Sequence, residues 1–202
     1  VTCVERLKEY ETKLRDEHGP SSERVVTVSG LVGVGSSTVA EILSDELGMD
    51  LISSGTFFRR KAEEKDLDLP DFFDKYRNPD VGPDPDLMWD RRVLGLAFTK
   101  DDVVIEGRLT GALLCDIAEV RILVECSRDV VVERLAEREK MTPDEADERL
   151  ERRNSQDIKT YKEKYGIDVR DKKYYNVVVD NSGSLEDTKK MIIEKVNAFI
   201  GE

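Results

Sequence analysis

Apolar positions along the chain fall into two alternating rhythms. In residues 1–18, Val4, Leu7, Tyr10 or Glu11, and Leu14 lie near helical spacing with charges between them, and His18-Gly19-Pro20-Ser21-Ser22 breaks the pattern. This predicts a helix followed by a linker. From Val25 the rhythm changes. Val25–Ser29 is a short β-branched run that predicts a strand. Ser36–Leu47 returns to helical spacing, with Val39, Ile42, Leu43 and Leu47 on one face and Gly48 as the stop. Further strands are predicted at Met49–Ser53, Asp102–Ile105, Val120–Val124 and Val177–Asp180. Helices are predicted at Phe57–Lys65 and Asp84–Lys100, on either side of a Pro/Asp/Gly segment at 78–85, and at Asp129–Glu139, Thr142–Lys164 and Leu185–Ile200. Thr142-Pro143-Asp144-Glu145 reads as a helix cap. Strands alternating with helices predict an α/β fold with a five-stranded parallel sheet and helices on both faces.

Length and charge narrow the classes of function. With 202 residues, the chain is expected to form one domain with excursions. The formal net charge is -12, which disfavours nucleic acid and anionic membrane as bulk partners. A small phosphorylated ligand is still allowed, because local basic residues reverse the field inside a cleft. The three cysteines, Cys3, Cys115 and Cys126, are scattered without metal-ligand spacing, which fits a reducing compartment. No apolar run reaches membrane-spanning length and no signal-peptide pattern is present, so a cytoplasmic location is expected, and a monomer. His18 is the only histidine, which disfavours histidine triads and multi-histidine metal sites.

The strongest candidate chemistry lies in Gly30-Leu31-Val32-Gly33-Val34-Gly35-Ser36-Ser37-Thr38, directly after a predicted strand and directly before a predicted helix. Glycines let a backbone wrap phosphate oxygens with its N–H groups inward, and the helix N-terminus adds a positive dipole end. Gly30-x4-Gly35-x-Ser37 matches the Walker A frame, in which the Ser37 hydroxyl would hold Mg²⁺. Ser36 stands where that frame carries lysine. Two other readings stay open here. A dinucleotide loop would want a third glycine where Thr38 stands and an acid after the second strand, where Ser53-Ser54 stands. A ligand-free glycine turn is the other.

Three arginine-bearing segments accompany the loop: Ser53-Ser54-Gly55-Thr56-Phe57-Phe58-Arg59, Asp86-Leu87-Met88-Trp89-Asp90-Arg91-Arg92 and Glu106-Gly107-Arg108-Leu109. Two of them follow strands, where open α/β sheets bind ligands. Together they suggest a second anion site. With these motifs in this order, followed by Glu133-Arg134-x3-Arg138-Glu139 and Tyr161-Lys162-Glu163-Lys164-Tyr165, the chain from about Val25 onward resembles the nucleoside monophosphate kinases, and among them the archaeal type of cytidylate kinase.

The resemblance implies a P-loop NTPase-type sheet with an NMP-binding excursion at about 54–100 and a lid at about 138–165. Residues 1–22 would be an appended helix and linker, and 23–202 the kinase domain. It implies ATP and Mg²⁺ as cofactors and CMP or dCMP as acceptor. ATP would lie on Gly30, Gly33, Val34, Gly35, Ser36, Ser37 and Thr38. The acceptor phosphate would meet Ser54, Arg59, Arg91 or Arg92, and Arg108. Arg153 or its neighbour Arg152 would act from the lid, and the loop at 181–183 would lie beside adenine. Glu106 is expected either to position Mg²⁺ through water or to pair with a nearby arginine. Three residues depart from the family pattern: Ser36, Thr56 where an acid is common, and Thr160 where a lid arginine is expected. They keep two alternatives open, a kinase for AMP or UMP and an inactive nucleotide-binding module.

Overall fold

The computed structural model describes residues 3–19, 24–76, 78, 80–82 and 84–200. Its strands are β1 (Val25–Ser29), β2 (Asp50–Ser53), β3 (Val103–Glu106), β4 (Val120–Glu125) and β5 (Val177–Asp180). Its helices are α1 (Cys3–His18), α2 (Ser36–Leu47), α3 (Ser54–Glu63), α4 (Leu69–Tyr76), α5 (Pro85–Thr99), α6 (Thr110–Leu113), α7 (Arg128–Glu139), α8 (Pro143–Tyr165) and α9 (Leu185–Ile200). The five strands form one parallel sheet in the order β2-β3-β1-β4-β5. Central β1 is buried at every position, as expected of a strand covered on both faces.

Side-chain alternation sorts the strands into two cores. Val26, Val28, Val104, Ile122 and Val179 face one cluster, which α2, α7, the first half of α8, and α9 complete. Val25, Val103 and Ile105 face the other, built with α1, α3, α4, α5, α6 and the last turns of α8. Helix α8 therefore spans both cores, with Leu150 in one and Tyr161 and Tyr165 in the other. Among the described residues no helix is long and apolar enough to cross a membrane.

Most predicted elements form within two residues of their expected ends. Gly48 stops α2 in the left-handed conformation, and Thr142 and Glu145 close the expected reciprocal cap on α8. Helix α3 differs. It starts at Ser54, directly after β2, and ends at Glu63 where the chain turns through Asp66 at φ 53°. Helix α4 was not foreseen, because Pro70 and the surrounding acids mask its pattern. Proline is tolerated in a first helical turn, and the Asp68 carboxylate accepts the Asp71 N–H at 2.8 Å there. Phe72, Phe73 and Tyr76 then lock α4 onto Phe58 of α3 through a chain of aromatic contacts. Four-residue α6 is too short to leave a periodic signal. The predicted linker at 20–22 and parts of the Pro/Asp/Gly segment, residues 77, 79 and 83, lie outside the described residues.

The N-terminal helix is more than an appendage. Leu7 and Leu14 are buried in the second core, against α5. The reading of α1 as an appended helix is corrected here, because α5 presents an apolar face that α1 covers. Leu14→Ala is therefore expected to lower the urea-unfolding free energy by about 2–5 kcal/mol, the usual cost of emptying a buried leucine site. An unchanged unfolding midpoint would mean that α1 contributes nothing to the core.

Candidate active site

The glycine-rich segment leaves the carboxyl end of β1 and enters α2 at Ser36. Gly33 and Gly35 hold φ 83° and 88°, left-handed values that side chains resist. A Cβ on Gly35 would stand 2.2 Å from Asn181 Nδ2, and one on Gly33 would stand 2.6 Å from Val131 Cγ1. The close approach at Gly35 serves a contact. Asn181 Nδ2 donates to the Val34 carbonyl at 2.9 Å, while Asn181 Oδ1 accepts from Thr188 Oγ1 at 2.9 Å. On the other side, the Val32 N–H donates to Asn154 Oδ1 of α8 at 3.1 Å. Two asparagines from distant parts of the chain thus brace the loop. Ser37 and Thr38 are exposed on the first turn of α2, where backbone N–H groups lack intrahelical partners.

Glu106 lies buried at the end of β3, in register with Ser53 of β2. Ser36 Oγ donates to Glu106 Oε1 at 3.0 Å, and Ser53 Oγ donates to Oε2 at 2.8 Å. The residue in the lysine position of the Walker frame thus bonds a carboxylate, and two serine hydroxyls, in place of the expected arginine, satisfy Glu106.

The predicted arginines separate into groups. Arg108 donates to Asp157 of α8, which is buried. Arg153, one helical turn before Asp157, faces the same place. Burial first, and the Arg108 charge second, draw its pKa below the ordinary guanidinium value. Arg152 points elsewhere, onto an exposed patch with Glu145, Glu148 and Arg149. Of the two lid candidates, Arg153 is the one brought to Arg108. Arg59 is exposed and folds back to donate to Thr56 Oγ1 at 3.3 Å. Arg92 stacks on Phe57 of α3 at 5.6 Å, whereas Arg91 stacks on Tyr10 of α1 at 5.9 Å. Both line a cleft of about 480 Å³ between α1 and α5 that no residue of the glycine loop reaches. Ser54 opens α3 beside Gly107.

The acids of the Asp-x3-Asp-Arg-Arg motif meet the last turn of α8. Lys164 Nζ bonds Asp84 and Asp86, each at 2.7 Å, and the Tyr165 hydroxyl donates to Asp90. Burial raises the Asp90 pKa to about 7. The Tyr165 hydrogen bond opposes that rise, and the Asp86 charge adds to it.

Several of these contacts escaped the sequence reading. Asn154 and Asp157 belong to no motif, and Lys164 carries no mark of its partners Asp84 and Asp86. The available signal was spacing: Leu150, Asn154, Asp157, Tyr161 and Lys164 repeat every three or four residues, so one polar stripe of α8 faces inward. Nothing local marked Ser53 or Ser36 as partners of Glu106, since 70 residues separate Ser36 from it.

Comparison with known proteins fits this arrangement. The cytidylate kinase-like family matches residues 25–183, which include the glycine loop, all three arginine segments and α8. A protein named cytidylate kinase from Halorubrum lacusprofundi is 39% identical over 158 residues, covering 78% of this chain and 81% of that one. Another so named, from Halobacterium salinarum, is 36% identical over 179 residues, covering 88% and 92%. Among solved structures, a shikimate kinase from Bacteroides thetaiotaomicron superposes with TM-score 0.61 at 11% identity, over 89% of this chain and 99% of that one. An uncharacterised protein from Eubacterium ventriosum gives TM-score 0.66 at 15% identity, over 87% and 99%. These likenesses show that the fold is shared, that of the shikimate kinase included.

The Asp90 environment predicts a pH dependence of stability. In the unfolded chain an aspartate ionises near 4, whereas folded Asp90 keeps its proton to about pH 7. The folded state therefore holds an extra proton between these values. The associated stability is fully present below about pH 4 and is lost as pH rises through about 7. Urea unfolding of the wild type should weaken between pH 5 and pH 8 by about 1–4 kcal/mol more than that of Asp90→Asn. Parallel pH profiles for the two proteins would show that Asp90 is already ionised in the fold.

Proposed function

The chain belongs to the cytidylate kinase-like family, and we propose that within it the protein transfers the γ-phosphoryl group of ATP to CMP and dCMP, forming ADP and CDP or dCDP. The observation that carries this reading is the meeting of Arg108 and Arg153 beside the braced glycine loop. Arg108 follows Glu106, which Ser36 bonds, and Arg153 precedes Asn154, which bonds Val32. Two guanidiniums next to an anion-binding loop suit a reaction whose catalysis is mostly alignment and charge neutralisation.

In this reading the loop N–H groups and the α2 N-terminus hold the ATP phosphates. Arg108 and Arg92, with Ser54 and Arg59 on α3, hold the acceptor phosphate. Arg59 and Arg92 are exposed and so are available to an incoming anion. Arg153 lies toward the transferring group, and Asp157 keeps Arg108 oriented until the acceptor arrives. Ser37 hydroxyl and Glu106 carboxylate are hard oxygen donors, which suits Mg²⁺. When bound, that ion would supply positive charge to offset the negative charge of the phosphates. Because Ser36 brings no charge, the arginines and the cation take over what a loop lysine supplies elsewhere. Arg134 donates to the Asn181 carbonyl at 2.9 Å, which holds the loop assigned to adenine. The choice of CMP leans on the relatives named cytidylate kinase. The cytoplasmic and monomeric expectations remain part of this proposal.

An ADP-release assay with CMP, dCMP, UMP and AMP as acceptors, and with none, checks the assignment. Turnover is expected to rise sharply with CMP, and next with dCMP. Equal rates with and without every monophosphate would sink it. Arg108→Ala should lower kcat/KM by an amount corresponding to about 2–4 kcal/mol, mainly through the acceptor. A higher KM for ATP with an unchanged KM for CMP would place Arg108 on the donor side.

A further inference from the structure

We infer that the Ser36 hydroxyl serves phosphoryl transfer by positioning Glu106, not as a side-chain ligand of the nucleotide phosphates. The inference rests on the kinase reading for its role in turnover, and on geometry for the contact itself. A serine hydroxyl has one proton. Here that proton points to Glu106 Oε1 at 3.0 Å, and Ser53 commits its own to Oε2 at 2.8 Å. Phosphate oxygens only accept hydrogen bonds, so a hydroxyl already spent on Glu106 has nothing to give them. The lysine of the Walker frame and the serine of this chain therefore do different work from the same position.

The arrangement also explains how a buried carboxylate survives at the end of β3. Glu106 is 6% exposed, and an unpaired acid there would be costly. One hydroxyl on each oxygen satisfies the carboxylate and sets the orientation of its plane. The two hydroxyls come from different elements. Ser36 opens α2 directly after the glycine loop, and Ser53 ends β2 directly before α3. Ser36, Glu106 and Ser53 thus tie the donor loop to the acceptor helix through one side chain.

The test is a double-mutant cycle on the full chain, combining Ser36→Ala with Glu106→Gln, and adding Ser36→Thr as the conservative variant. Three quantities are read: kcat with CMP, the dissociation constant of Mg·ATP by calorimetry, and the urea-unfolding free energy. Ser36→Ala is expected to lower kcat ~10-fold or more, the scale of a hydrogen bond to a charged group. The ATP dissociation constant should change less than about threefold, the difference between a positioning role and a phosphate contact. Ser36→Thr, which keeps a hydroxyl, should recover most of the lost kcat. Adding Ser36→Ala to Glu106→Gln should cost clearly less than the product of the two single losses, in kcat and in unfolding alike. Tenfold weaker ATP binding in Ser36→Ala, or strict additivity of the two changes, would overturn the inference. A wild type without CMP-dependent turnover would defeat the kinase reading alone. The unfolding cycle, which needs no ligand, would then decide on the contact: non-additivity supports it and additivity ends it.

Discussion

A loop that grips an anion through its backbone must leave its N–H groups unpaired and aimed inward, and this constraint organises the molecule. Such a loop cannot support itself by internal hydrogen bonds. Residues 30–35 turn back at the end of a buried strand only because Gly33 and Gly35 take left-handed angles. Their outward groups are then held from elsewhere. Asn181, one residue past β5, takes the Val34 carbonyl, and Asn154, in the middle of α8, takes the Val32 N–H. Thr188 of α9 in turn fixes Asn181. Three elements from the C-terminal third of the chain are therefore needed to shape a loop near its start. The parallel sheet supplies the geometry, because it brings the ends of β1, β4 and β5 to one edge.

Helix α8 carries most of the traffic between the parts of the site. Its exposed face is a mixture of charges, and surface ion pairs such as those of Arg128 with Asp147 and Glu151 add little to stability. Its inward stripe is different. Within four turns it supports the glycine loop through Asn154, holds Arg108 through Asp157, and clasps the first turns of α5 through Lys164 and Tyr165. A chain with a net charge of -12 thereby holds Arg108 and Arg153 together, both half-buried. The mutual repulsion of Arg108 and Arg153 is tolerable because Asp157 and Glu139 share the field.

The N-terminal helix lies outside the span shared with the family, yet it is built into the second core. Its leucines cover α5, and Tyr10 takes the Arg91 guanidinium on its ring. The neighbouring Arg92 turns the other way, toward Phe57. Adjacent residues on a helix point about 100° apart, so one arginine of the pair serves the packing of α1 while the other stays on the side of α3.

The alternation of strands and helices, the parallel sheet and the glycine loop were legible in the sequence because each depends on local spacing. Apolar periodicity reports which face an element buries, and Gly48 or Thr142 marks where it ends, without knowledge of what lies opposite. Candidate arginines were legible as residue types at strand ends. Their partners were not. Whether Arg108 meets Arg152 or Arg153, whether Arg91 stacks on α1 or on α3, and where the Ser36 proton goes all depend on residues dozens of positions away. Those pairings are settled by how the elements pack, since a side chain's direction is fixed only when its neighbours are. The sequence by itself determined the sheet, the loop and the stock of charges. Only the tertiary structure decided that a serine in the lysine position would bond Glu106, because that contact exists only once β1, β2 and β3 lie side by side.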